Sequence, residues 1–72
     1  MKTAKLTTAE TLTRFASELF QNGMIFVDLR DGVYWLCCRK PEGGFRSMRS
    51  VGVTGFPIKY VKDEIRKVAA EY

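Results

Sequence analysis

The chemistry this sequence offers sits in Phe26, Arg30, Trp35, Arg39, Lys40, Arg46 and Arg49. An arginine guanidinium is a planar fork of donors that grips phosphate or carboxylate and also stacks on rings. Aromatic rings on an open sheet surface stack unpaired bases, each stack contributing about 1–3 kcal/mol. Charge is concentrated in the same stretch. From Arg39 to Arg49 four basic residues stand against one acid, Glu42, which is +3 of the chain's +4. This pattern predicts a binding face for nucleic acid, with arginines neutralising phosphates and rings stacking bases. Trp, Tyr, Arg and Met are also the residue types enriched at protein interfaces and their hot spots. The face therefore also suits a protein partner, or a second copy of the chain in a homodimer that buries an exposed apolar patch.

Other chemistry is excluded by what is missing. The chain has no histidine, so the commonest metal ligand and the usual general base at neutral pH are both absent. Asp28 and Asp31 are the only acids on the central hairpin. A turn accounts for Asp31, and the polar face of a strand accounts for Asp28. Gly43-Gly44 and Gly52 are not followed by the Gly-Lys-Ser/Thr of a phosphate-binding loop. Cys37 and Cys38 are neighbours in the chain. They are too few for a zinc site, and a disulfide between them would be strained. The expectation is a non-enzymatic protein with no metal, no cofactor and reduced thiols, as in the cytoplasm. The opening MKTAKLTTAE lacks the apolar run of a secretory signal. No segment approaches the roughly 18 apolar residues of a membrane span, so no membrane association is expected.

These side chains need elements to bring them together. Leu12, Phe15, Ala16, Leu19 and Phe20 recur at helical spacing. Thr7 and Glu10 have the spacing of a capping box, and Asn22-Gly23 reads as the left-handed stop, predicting a helix over 8–22. MIFVDLR and VYWLCCRK flank Asp31-Gly32, the strongest short hairpin signal. They predict strands over 24–30 and 33–40. A two-residue turn sets Arg30 opposite Val33, Asp28 opposite Trp35 and Val27 opposite Leu36. Ile25, Val27, Leu29, Tyr34, Leu36 and Cys38 then share the core face. Phe26, Asp28, Arg30, Val33, Trp35, Cys37 and Arg39 share the other. A third strand over 45–51 does not alternate cleanly, which predicts a bulge. It brings either Arg46 with Met48 or Phe45 with Arg49 to the outer face. Pro57 opens a second amphipathic helix over 57–71, with Ile58, Val61, Ile65, Val68, Ala69 and Tyr72 inward. Lys59, Lys62, Arg66 and Lys67 form a solvated face in which Lys59 and Asp63 have the spacing of a local ion pair.

The chain of 72 residues makes one small α+β domain at the marginal end of independent folding. The predicted architecture is an α-β-β-β-α two-layer sandwich: a three-stranded antiparallel sheet with both helices on one face. A helix on each face would press Asp28 and Arg30 into an apolar layer, at a cost of several kcal/mol unless they pair. The order of elements and the length resemble double-stranded-RNA-binding domains. Such domains open their second helix with a Lys-Lys-x-Ala-Lys type cluster, whereas this one opens Phe56-Pro57-Ile58-Lys59-Tyr60. The likeness is topological, and no site residue is carried over from it. Size and style also resemble small phage or plasmid regulators and inhibitors of host proteins, the alternative function for the same face.

Overall fold

The computed structural model describes residues 7–71. Its elements follow in the order α1 (Thr8–Phe20), β1 (Ile25–Arg30), β2 (Val33–Arg39), β3 (Phe45–Val53) and α2 (Ile58–Glu71). The strands form one antiparallel sheet in the order β1-β2-β3. Leu12 and Ala16 from α1 join Val61, Ile65 and Val68 from α2 over Ile25, Val27, Tyr34, Leu36 and Val51 of the sheet. Both helices therefore cover the same face, and the other face is left without a helical layer.

Local chemistry explains the boundaries. The Thr7 hydroxyl accepts the Glu10 amide at 3.1 Å, and the Glu10 carboxylate accepts the Thr7 amide at 2.8 Å, a complete capping box. The helix stops sooner than expected from Asn22-Gly23. Gln21, not Gly23, takes the left-handed conformation, at φ 53°. The cause is Asn22, whose side-chain oxygen accepts the Met24 amide at 2.9 Å and starts the turn into β1. At the hairpin, Asp31 and Gly32 both have positive φ, 51° and 76°, as a type I′ turn requires. The register is the expected one, with Val27 opposite Leu36, Asp28 opposite Trp35 and Arg30 opposite Val33.

Strand β3 runs longer than the expected 45–51 and carries two irregularities. Pairing with β2 shifts between Tyr34 and Trp35 and again between Leu36 and Cys37, where Val51 and Met48 are the extra residues on β3. Both bulged residues turn toward the helices, since Val51 is buried in the core and Met48 packs against it. Gly52 sits under α2, and a Cβ there would lie 2.7 Å from Cγ2 of Val61. Only glycine allows that helix to approach so closely.

Some expected core positions are corrected. Leu29 is 44% exposed, because it ends an edge strand with a neighbour on one side only. Ile58, at the first turn of α2, is also exposed. Tyr72 lies outside the described residues. On α2 the ion pairs are Asp63 with Arg66 and Glu64 with Lys67, at i,i+3, rather than Lys59 with Asp63. Lys62 and Arg66 are not simply solvated. Their cationic groups lie 5.2 and 5.1 Å from the Phe15 ring and tie α2 to α1.

Candidate functional site

On the face opposite the helices, β1 contributes Phe26, Asp28 and Arg30, β2 contributes Trp35, Cys37 and Arg39, and β3 contributes Phe45 and Ser47. Strand alternation puts these side chains together, because residues two apart on a strand share a face and paired residues stand side by side. The result is a continuous row. The Arg30 guanidinium carbon lies 5.4 Å from the Trp35 ring and 5.9 Å from the Phe45 ring. Phe45 meets Phe26 edge to face at 5.3 Å. Arg39 closes the row, 4.5 Å over the Phe26 ring. The row thus runs ring, cation, two rings and cation from Trp35 to Arg39, each guanidinium over a ring.

The two arginines of the row are held differently. Arg30 donates from Nη2 to the Ser47 hydroxyl at 2.6 Å and from Nε toward Asp28 Oδ2 at 3.1 Å. Its fork is occupied and its charge is balanced. Arg39 pairs with no carboxylate among the described residues, and neither do Arg14, Lys40 or Arg46. Beneath the row lies Cys37, on the outer face of β2 yet wholly buried. Burial pushes its thiol up from the ordinary range, and the Ser47 hydrogen bond and the Arg30 charge oppose that only in part.

Of the residues expected at the site, Phe26, Arg30, Trp35 and Arg39 share the open face. Lys40 lies just past β2, in the loop closed by Lys40 N–H to Gly44 O and Gly43 N–H to Lys40 O, both at 3.0 Å. Arg46 and Arg49 are corrected. Arg46 stands opposite Cys38, whose side chain packs against the core, so it belongs to the helix side at the tip of the β2–β3 hairpin. Arg49 stands opposite Leu36 and pairs with Glu71 at the end of α2, 3.6 Å away. The pairing of Phe45 with Arg39 sets Arg46 inward, and the extra residue Met48 turns Arg49 inward as well. Phe45 takes the outer position instead and is 44% exposed.

Three features escaped the sequence reading. Ser47 anchors Arg30, but nothing in its type marks it. Arg14 lines a groove of about 510 Å³ with Thr13, Ser17, Phe26 and Arg39, beside the end of the row. Its place on the polar face of α1 gave no sign of that. Thr13 donates its hydroxyl to the Val27 carbonyl at 3.2 Å and accepts the Val27 amide at 2.8 Å. It thereby closes the free edge of β1, which would otherwise be open to pairing.

A second concavity, about 430 Å³, lies between β3 and α2 against Gly52, Phe56 and Tyr60. It reaches the sheet at Ser50, opposite Trp35, and its acids Asp63 and Glu64 are tied to Arg66 and Lys67. Among the described residues no group of three or more His, Cys, Asp or Glu could hold a metal, and no helix is long and apolar enough to cross a membrane. No protein-family model, curated protein or solved structure matches this chain, so the reading of the site rests on its own geometry.

Proposed function

We propose that this protein is a small, non-enzymatic regulatory module that binds nucleic acid through the arginine and aromatic face of its sheet. One observation supports this above the others: the row of Trp35, Arg30, Phe45, Phe26 and Arg39 lies on the sheet face the helices do not cover. Its rings supply stacking surface and its open end supplies unpaired positive charge, the two components of sequence-tolerant nucleic-acid binding. Arg30 orders the rings, and Arg39, with Lys40 and Arg46 beside it, neutralises phosphates.

The test is fluorescence anisotropy with a panel of labelled single- and double-stranded DNA and RNA, at low and at physiological salt. Binding that weakens with salt, and is mostly lost in the Arg39→Ala/Arg46→Ala double variant, is the expected result. Failure of every nucleic acid to bind at low salt would refute the reading and leave the face to a protein partner.

A further inference from the structure

Resting on that reading, we propose that the ligand is a single strand with a phosphate seated at the tip of the β2–β3 hairpin. Arg39, Lys40 and Arg46 line one small cavity there, about 270 Å³, against Cys38, Pro41 and Glu42. Arg46 reaches it from the helix side of the sheet, Arg39 from the open side and Lys40 from the loop. Three basic residues that pair with no carboxylate line a space ample for a phosphate group, with Glu42 the one acid among them. The displacement of Arg46 from the ring-bearing face is what builds this cradle.

The distribution of charge selects the form of the ligand. Toward the opposite end of the open face, near Asp31 and Val33, the cation that the described strands supply is Arg30, and it is committed to Asp28 and Ser47. A duplex presents two lines of phosphates flanking a groove, and this face offers charge to one line only. Bases within a duplex are stacked on each other and offer no free face to Phe26, Phe45 or Trp35. A single strand meets both conditions. Its phosphate sits in the cradle and its bases lie along the row toward Trp35, about two or three of them, as on other sheet platforms. Arg14 lines the groove past Phe26 on the side of α1, together with Glu10.

The experiment compares ten-nucleotide oligo(dT) and oligo(U) with a ten-base-pair duplex, read by anisotropy and by Trp35 fluorescence. Single strands of either sugar are expected to bind at least about tenfold tighter than duplex and to quench Trp35. The one phosphate neutralised in the cradle gives a single-strand salt slope of about −0.7, a loss of affinity of about two- to threefold between about 50 and 200 mM salt. Arg39→Ala, Lys40→Ala and Arg46→Ala should each weaken binding, and the triple variant should abolish that slope. All three side chains are exposed, so their truncation leaves the core intact. Tyr60→Ala, on α2 and outside the row and the cradle, should leave affinity and salt slope unchanged. Duplex binding as tight as single-strand binding would overturn this inference while leaving nucleic-acid binding standing. Single-strand binding indifferent to Lys40→Ala and Arg46→Ala would overturn the cradle. No binding by any oligonucleotide would remove both this inference and the function it rests on.

Discussion

Arg30 and Arg39 look alike in the sequence, and the structure predicts that conservative replacement will separate them. Arg30→Lys keeps the charge of the chain and removes the fork. A lysine ammonium, as a point charge, cannot engage Ser47 and Asp28 while lying flat between Trp35 and Phe45. Two cation–ring contacts at a surface contribute about 0.5–1 kcal/mol each, and the exposed Asp28 pair adds about 0.2–1 kcal/mol. The Arg30 side chain is 46% exposed, so solvent screens part of this sum and the lysine recovers part of the rest. The expected destabilisation is about 1–2 kcal/mol, near 4–8 °C in Tm for each kcal/mol in a domain this small. Arg39→Lys gives up one ring contact and no carboxylate, and should cost about 0.5 kcal/mol or less. Urea and thermal unfolding followed by Trp35 emission and far-ultraviolet circular dichroism measure both. In binding the order reverses when both are truncated: Arg30→Ala should leave the salt slope unchanged, because Arg30 touches no phosphate, whereas Arg39→Ala lowers it. Equal stability for the wild type, Arg30→Lys and Arg39→Lys would refute the assignment of Arg30 as the residue that orders the rings.

Three further outcomes follow from the packing. Gly52→Ala drives a methyl group into the rigid, buried Val61 and should cost about 1–3 kcal/mol by overpacking; a Gly52→Ala/Val61→Ala double variant in urea melts should show the two costs to be less than additive. Thr13→Val keeps the shape but strands the Val27 amide and carbonyl at a sheet edge. It should lose about 1–3 kcal/mol and promote association at high concentration, visible by light scattering. Because burial raises the Cys37 thiol, the folded chain holds that proton more tightly than the unfolded chain. The resulting stabilisation is full below the ordinary thiol range and is lost as pH rises through the raised value. Unfolding free energy should therefore fall above about pH 8.5, less so in Cys37→Ala, and the half-buried Cys38 should be alkylated before Cys37.

How far the sequence carried this reading depended on whether local signals agreed with the tertiary layout. Thr7 with Glu10, the 3.6-residue stripes and Asp31-Gly32 each determine their surroundings within a few residues, and helix α1, the β1–β2 register and the two-layer arrangement follow from them. Strand β3 is different. Its outward set depends on two bulges that pack Met48 and Val51 inward, and that requirement comes from the helices, far along the chain. Any reading that alternates strictly along FRSMRSVGV misassigns Arg46, Phe45 or Arg49. Thr13 escaped notice for a related reason. A threonine on the polar side of a helix looks solvated until the edge of β1 is placed beside it.

The same limit applies to charge, where it matters most for function. Composition counts Arg30, Arg39, Arg46 and Arg49 as equal contributors to a basic stretch. The fold divides them. Arg30 is balanced by Asp28 and Arg49 by Glu71, while Arg39 and Arg46 pair with no acid among the described residues and meet Lys40 in one cavity. A partner feels only the unbalanced set, so the modest +4 of the chain understates the field at the hairpin tip and overstates it along the rest of the sheet. Electrostatic attraction falls off within about 10 Å at 0.1 M salt, so placement outweighs total charge. The rings behind that tip are apolar enough to take bases, and the one arginine between Trp35 and Phe45 has its charge balanced by Asp28. A ligand whose charge is carried along one edge and whose flat apolar groups project from the other matches that division.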